Sequence, residues 1–280
     1  MRLSSGKYVS PLLSVSCSIS KPYKNPPLGT CHIARAFSVE PYLHLMQNVA
    51  AMPVDRILRG LNRFQRRVFP KQRELFQKLA LQQRPTALFI TCADSRIDPC
   101  LITQTKPGEL FICRVIGNVV PRYPRSIGGV SATIEYAVGV LGVPDVIVCG
   151  HTDCGVMKGV LNPEALKPLR NVSAWLRHAQ PARRAVAGLK DKMGEAEFLL
   201  ALTERNVIEQ LANLRTHPTV AAGIEQGSVN LHGWVYHIAE GSVTTYDASQ
   251  ERFQPVPTIK RQNAKLSGAE TAPRLASQQG

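Results

Sequence analysis

The chain alternates short, continuously apolar runs with longer segments in which apolar residues recur at helical spacing. The predicted strands are residues 86–91, 110–114, 145–149, 229–238 and 243–246, and the predicted helices are residues 130–141 and 195–214. The last two strands form a hairpin turned at Glu240-Gly241. Continuously apolar strands alternating with helices are typical of a parallel sheet buried on both faces. The pattern therefore predicts an α/β fold with a mostly parallel central β-sheet flanked by helices.

Two more helices are predicted before the first strand. Apolar residues recur with helical spacing from Ile57 to Val68, and arginines occupy the other face. Pro70 interrupts this pattern, and a second helix continues through Leu75 and Leu79. The apolar face has no obvious partner within the chain. We therefore expect these N-terminal helices to extend onto a neighbouring subunit.

The two ends of the chain lack such periodicity. We predict a disordered extension over residues 1–51, one folded domain over residues 52–254 and a disordered basic tail over residues 255–280. Two interpretations of the extension stay open. Its Arg and Ser residues and its near lack of acids fit an organellar transit peptide. Alternatively, Met46 or Met52 is the natural start, and the residues before it are a non-native extension.

The net charge of +14 is concentrated at these ends. Residues 1–39 carry five basic residues and no acid, and residues 255–280 carry four basic residues and one acid. No nucleic-acid-binding motif accompanies them, so we predict a solvated basic surface and no nucleic-acid partner. No run of 18 or more uninterrupted apolar residues occurs, which predicts no membrane span. The odd number of cysteines, seven, favours a reducing compartment over a disulfide framework.

Two cysteines and one histidine follow predicted strands. Cys92 comes directly after the first strand, and His151 and Cys154 follow the third. In a parallel sheet, ligand sites lie beyond the carboxyl ends of the strands. Thiolate sulfur and imidazole nitrogen are zinc ligands, and a set of three leaves one coordination position open, as in catalytic zinc sites. The spacing therefore predicts a catalytic zinc site.

Asp94 and Arg96 add a charged pair beside the first ligand. An isolated surface ion pair would contribute little to stability. Next to a dication, however, the carboxylate can accept a hydrogen bond from a metal-bound hydroxide. The guanidinium can hold that carboxylate through two parallel hydrogen bonds. We therefore expect Asp94 and Arg96 to form a catalytic dyad.

Several motifs in the same order resemble the β-class carbonic anhydrases. The similarity covers roughly residues 55–250. The motifs are Cys-x-Asp-Ser-Arg (92–96), Pro-Gly-Glu (107–109), Arg-x-x-Gly-Asn (114–118), Ile-Glu-Tyr-Ala (134–137), Cys-Gly-His-x-x-Cys-Gly (149–155), Glu-Arg-Asn-Val (204–207) with Gln210, and His-Gly-Trp (232–234).

The resemblance implies reversible hydration of carbon dioxide to bicarbonate and a proton by a zinc-bound hydroxide. It assigns Cys92, His151 and Cys154 to the zinc and Asp94 with Arg96 to the dyad. It also implies a homodimer or a higher homo-oligomer. The substrate-pocket residues that it implies are Phe111, Ile116, Gly129 and Tyr136, with Gln83 reaching the substrate across a subunit boundary.

The chain also departs from the family pattern. Val115 stands where the family usually has Asn, and Thr152 replaces a common Ser but keeps the hydroxyl. Some members bind bicarbonate at a regulatory pocket of Trp, Arg and Tyr. Here Arg114 and Tyr236 match, but Phe89 replaces the Trp and lacks its indole N–H. We therefore predict weak or absent inhibition by bicarbonate.

Two other functions stay open at this point. A related hydrolase of carbon disulfide or carbonyl sulfide would use the same chemistry on a similar linear substrate. A structural zinc protein or an inactive binding module would need a fourth protein ligand or a broken dyad, whereas Asp94 and Arg96 are intact. We expect a cytoplasmic location. The alternatives are a carboxysome, or a mitochondrion or plastid if residues 1–51 are a transit peptide.

Overall fold

The structure is a computed structural model that describes residues 54–124 and 128–257. Its six strands are β1 Ala87–Thr91, β2 Leu110–Arg114, β3 Asp145–His151, β4 Asn230–His237, β5 Ser242–Asp247 and β6 Arg252–Pro255. They form one sheet in the order β2–β1–β3–β4–β5–β6. The first four pair in parallel, and β5 and β6 are added antiparallel at one edge. The predicted α/β fold with a mostly parallel sheet is confirmed.

Ten α-helices surround or precede this sheet in the part of the chain described. They are α1 Val54–Arg63, α2 Arg73–Leu81, α3 Pro99–Thr103, α4 Gly129–Glu135, α5 Gly155–Leu161, α6 Pro163–Leu166, α7 Arg170–Trp175, α8 Gln180–Val186, α9 Glu195–Leu214 and α10 Pro218–Glu225. A π-helical turn, Tyr136–Val140, extends α4. A short 3-10 turn, Ile116–Asn118, follows β2 and lies close to the predicted site.

Alternate residues of the central strands supply two apolar layers. On one face, side chains of β1, β3 and β4 such as Leu88, Val148 and Val235 pack in one cluster with Val207 and Leu211 of α9. On the other face, Phe89, Ile147 and Cys149 pack with partly buried neighbours. Burial on both faces explains why the sequence of these strands is apolar without alternation.

Gly233 lets α9 approach the sheet closely. A Cβ atom at this position of β4 would lie 2.9 Å from Leu211 Cδ1 and 3.0 Å from Val207 Cγ1. Both atoms belong to the buried face of α9, so a side chain would push the helix away from β4. This contact accounts for the glycine in the His-Gly-Trp motif.

The pairing of β1 with β3 places the predicted ligands at one edge of the sheet. Thr91 is in register with Cys149, and the Thr91 hydroxyl donates a hydrogen bond to the Cys149 carbonyl at 2.9 Å. Cys92 therefore leaves the sheet beside His151, the last residue of β3.

The N-terminal helix α1 has no buried residue within the chain. Its apolar side chains include Ile57, Leu58 and Leu61, which are 62%, 49% and 53% exposed. The predicted extension of the N-terminal helices onto a neighbouring subunit stays a prediction. The predicted extension over residues 1–51 and the tail from residue 258 onward lie outside the described residues. Within the described residues, no helix is both long and apolar enough to cross a lipid bilayer.

Candidate metal centre and active site

Cys92, His151 and Cys154 lie together at the carboxyl edge of the sheet. Their ligand atoms all lie within 4.8 Å of one another. All three residues are buried, at 3%, 0% and 1% exposed. Side chains that are 59 residues apart in sequence therefore form one group that is positioned to bind a metal ion, because β1 and β3 are neighbours.

The His151 ring is held in the orientation that a metal ligand needs. Nδ1 lies 2.9 Å from the Thr152 carbonyl oxygen, which can only accept, so Nδ1 carries the proton. Nε2 is then a lone-pair donor, and it is buried without a hydrogen-bond partner in the structure. A buried nitrogen without a partner is costly, and a metal ion would satisfy it. The residues present therefore fit a metal.

The thiols of Cys92 and Cys154 differ in acidity because they contact each other. A hydrogen bond with Cys154 is the main cause that lowers the pKa of Cys92, despite its burial. The Gly117 N–H also donates to Cys92 Sγ at 3.4 Å. The same contact raises the pKa of Cys154, because two thiolates this close repel each other. A divalent cation between them would hold both as thiolates.

Asp94 and Arg96 form the bidentate pair that the sequence suggested. Arg96 Nε donates to Asp94 Oδ1 at 3.0 Å, and an Arg96 terminal nitrogen donates to Oδ2 at 2.8 Å. These hydrogen bonds lower the pKa of Asp94 to about 2 and raise the pKa of Arg96. Asp94 Oδ2 lies 3.8 Å from His151 Nε2. An ionised carboxylate is therefore held beside the ligand group.

Asp153, which sequence reasoning did not single out, connects the dyad to the second ligand segment. Its side chain accepts from Arg96 at 3.2 Å, and its carbonyl accepts a second hydrogen bond from Arg96 at 3.1 Å. It also pairs with Lys158. The only signal for Asp153 in the sequence was its charge, at a position between two predicted ligands.

Thr152 uses the hydroxyl that it shares with the more common Ser. Its oxygen accepts from the Ile238 N–H at 3.0 Å, and its own N–H donates to the Tyr236 carbonyl at 2.9 Å. The ligand segment is thus attached to the end of β4.

The predicted substrate-pocket residues do not all meet within one chain. Phe111 and Tyr136 pack together, with ring centroids 6.0 Å apart. Ile116 lines a cavity of about 300 Å³ and Gly129 lines another of about 390 Å³, and the two cavities share Val115 and Trp175. Gln83 is exposed in the segment before β1, and its contact across a subunit boundary stays a prediction.

At the predicted regulatory position, Phe89 makes an aromatic contact. Phe89 is fully buried and packs edge-on against Trp234, with ring centroids 5.9 Å apart. Arg114 donates to the backbone carbonyls of Cys92 and Asp94. Weak inhibition by bicarbonate stays a prediction.

The fold and the site together define a class: an α/β protein with a Cys-His-Cys metal-binding group and an adjacent Asp–Arg pair at the carboxyl edge of its sheet. Residues 87–243 match the family model described as "Carbonic anhydrase". A carbonic anhydrase of Pseudomonas aeruginosa is 52% identical over 197 residues, covering 70% of this chain and 89% of that protein. Carbonic anhydrase 1 of Escherichia coli O157:H7 is 45% identical over 208 residues, covering 74% and 94%.

Solved structures agree with these relatives. The β-carbonic anhydrase CcaA superposes with a TM-score of 0.71 at 38% identity, covering 73% of this chain and 92% of that one. A structure from a study of two tetrameric β-carbonic anhydrases of Sordaria macrospora gives 0.58 at 28% identity, covering 74% and 96%. The chain belongs to the carbonic anhydrase family, in its β class.

Proposed function

We propose that this protein is a zinc-dependent carbonic anhydrase that interconverts carbon dioxide and water with bicarbonate and a proton. The observation that carries the proposal is the buried Cys92, His151 and Cys154 group, with an unpartnered His151 Nε2 and an ionised Asp94 beside it. Zinc is the metal that this mixed sulfur and nitrogen donor set favours. Within residues 54–124 and 128–257, the group offers three ligands, which leaves a fourth position for water.

Zinc bound to these three ligands would supply a Lewis acid that brings the pKa of a coordinated water towards neutrality. The chain's own residues then orient the reactants. Asp94 Oδ2 is an acceptor for the proton of the attacking water, and Arg96 keeps this carboxylate ionised and fixed in direction. Because Arg96 holds both oxygens, Asp94 is kept in its role as hydrogen-bond acceptor rather than as a ligand.

Carbon dioxide is apolar, so its binding surface should be mainly apolar. Phe111 and Tyr136, with Ile116 and the turn at Gly129, would supply that surface in this chain. Gln83 of a neighbouring copy would reach a substrate oxygen. This arrangement requires two copies of the chain, and the exposed apolar face of α1 is the surface that we assign to the contact between them.

A homo-oligomer follows from this proposal, with α1 packed on a second copy. We also propose a cytoplasmic location, because the five cysteines in the described part of the chain are all unpaired. A carboxysome or an organelle would suit the same chemistry, and residues 1–51 would decide between them.

Replacing a ligand tests the proposal directly. Cys92→Ala or His151→Ala should abolish zinc binding and lower CO2 hydration by at least about a thousandfold, the scale of losing a catalytic group. Cys100→Ala, which removes a cysteine outside the ligand group, should keep one zinc per chain and wild-type activity. Stopped-flow CO2 hydration and metal analysis measure both. Full activity of Cys92→Ala would refute the proposal. Turnover of carbon disulfide by the wild-type protein, without hydration of CO2, would favour the hydrolase alternative instead.

A further inference from the structure

One peptide group connects an indole ring to a predicted metal ligand. Trp175, the last residue of α7, donates its indole N–H to the carbonyl oxygen of Ile116 at 3.0 Å. The N–H of the same peptide group belongs to Gly117 and donates to Cys92 Sγ at 3.4 Å. The indole, the Ile116–Gly117 peptide and the thiolate therefore form a continuous chain of hydrogen bonds that all point the same way.

The turn that carries this peptide is fixed on its other side as well. The buried Asn206 side chain of α9 donates to the Gly117 carbonyl at 3.1 Å. Position 117 has φ of +68°, a conformation that favours glycine. A Cβ there would also lie 2.9 Å from Val156 Cγ1. The turn at Gly117 is therefore held by hydrogen bonds on both sides, and its N–H is directed at the sulfur.

We infer that Trp175 is a positioning residue that acts through the Ile116–Gly117 peptide on the sulfur of Cys92. Hydrogen bonds in a row polarise one another, so the indole N–H makes the Gly117 N–H a stronger donor. A hydrogen bond to a thiolate withdraws electron density from the sulfur, and such contacts tune a metal through its ligands. A thiolate that donates less charge leaves the metal a stronger Lewis acid. The two thiolates of this site donate strongly, so a contact that moderates one of them favours activation of water. This inference rests on the proposed function.

Cobalt(II) in place of zinc provides a spectroscopic test in the full-length holoenzyme. It suits the same tetrahedral donor set and shows a sulfur-to-metal charge-transfer band whose energy reports electron density on the thiolates. Trp175→Phe keeps an aromatic ring but removes the N–H. We expect the band to move to longer wavelength, and we expect kcat of the zinc form to fall between about 2-fold and about 10-fold with little change in KM.

Two further variants separate a hydrogen-bond effect from a packing effect. Benzothienylalanine at position 175 keeps the shape of the indole and replaces its N–H with sulfur, so it should shift the band like Trp175→Phe. Trp234→Phe, the same substitution at the other tryptophan of the chain, should leave band and kcat unchanged. If Trp175→Phe does not fold, the benzothienylalanine variant decides alone.

The outcomes distinguish this inference from the proposed function. If the wild-type protein takes up no cobalt or shows no thiolate band, the proposed function fails. If the wild-type band is present and does not move when the indole N–H is removed, the role of Trp175 is refuted and the proposed function stands. An equal shift in Trp234→Phe would likewise refute a specific role for Trp175.

Discussion

Each side chain of the Cys92, His151 and Cys154 group contacts backbone atoms near it in space. The Cys92 sulfur accepts from the Gly117 N–H, and His151 Nδ1 donates to the Thr152 carbonyl. The contact with Cys92 raises the pKa of Cys154, which directly precedes α5, and the backbone N–H groups of Met157 and Val156 oppose that rise. Such contacts fix the direction of each donor atom before a metal binds, which reduces the reorganisation that binding requires.

The Asp94–Arg96 pair should make the stability of the fold depend on pH in the acid range. Hydrogen bonds from Arg96 lower the pKa of Asp94 to about 2, below the ordinary value of 3.8. A carboxyl group with a lowered pKa stabilises the folded state at pH values above its pKa in the unfolded chain. That contribution is lost as the pH falls from about 4 through about 2. We therefore expect the Asp94 carboxylate to titrate with a midpoint near 2 by carbon-detected NMR. In Arg96→Gln the midpoint should rise. A wild-type midpoint at or above 3.8 would contradict this account of the dyad.

At the scale of elements, α9 supplies the polar contacts that hold the segment after β2. The buried Gln210 side chain accepts from the Val120 N–H at 2.8 Å and donates to Asn206 at 2.9 Å. Asn213 donates to the Val120 carbonyl at 2.9 Å. These side chains recur three or four residues apart on one helix face, so one helix satisfies the backbone of a segment without regular structure.

Gln210→Leu should therefore destabilise the protein by about 1–3 kcal/mol, because it leaves the buried Val120 N–H without a partner. Glu209→Gln is the matched control one residue away. It removes the negative charge from the partly exposed pair with Arg205, which should change the free energy of unfolding by less than about 1 kcal/mol. Urea unfolding at equal protein concentration and saturating zinc measures both. Equal effects of the two substitutions would show that the α9 contacts carry no special stability.

Periodicity in the sequence was enough to predict the central strands and the long helix α9. The prediction for 110–114 coincides with β2, and the prediction for 195–214 coincides with α9. The third predicted strand continues two residues further, to His151. The β4–β5 hairpin was predicted, whereas β6 was missed because Arg252–Pro255 is short and follows no apolar run. The helices between residues 155 and 189 were missed because they are short and interrupted by prolines and glycines, so no long period develops.

The site was predictable where its residues follow strands, because the parallel topology decides where strand ends meet. Trp175 and Asp153 were not predictable in this way. Each acts through a contact with a segment far away in sequence, Trp175 with Ile116 and Asp153 with Arg96. Such contacts depend on how helices and turns pack, which the local pattern does not specify. These hydrogen bonds can therefore be recognised only in the folded structure.

At the scale of the whole molecule, the exposed apolar face of α1 is the feature that the single chain leaves unexplained. Ile57, Leu58 and Leu61 each expose about half of their surface or more, while the neighbouring positions are largely basic. A helix with one apolar face and no burial is stable when that face packs on another surface. A second copy of the chain is the partner that the proposed function requires.

Leu58→Glu combined with Leu61→Glu should dissociate the protein to single chains and lower CO2 hydration by at least about tenfold, because charged side chains cannot be buried without partners. Arg59→Glu, on the polar face of the same helix, should leave the assembly intact. Light scattering coupled to size-exclusion chromatography measures the mass. A wild-type protein that runs as single chains with full activity would contradict the role assigned to α1.

The central claim is that zinc bound by Cys92, His151 and Cys154 makes this chain a carbonic anhydrase. The most direct test is to remove the metal from the full-length protein with a chelator, return zinc in steps and follow CO2 hydration by stopped flow. The account predicts that the metal-free protein gives no hydration above the uncatalysed rate, and that activity recovers linearly and stops rising at one zinc per chain. Activity that does not depend on zinc, or zinc bound at one per chain without hydration at any pH from acid to alkaline, would contradict it.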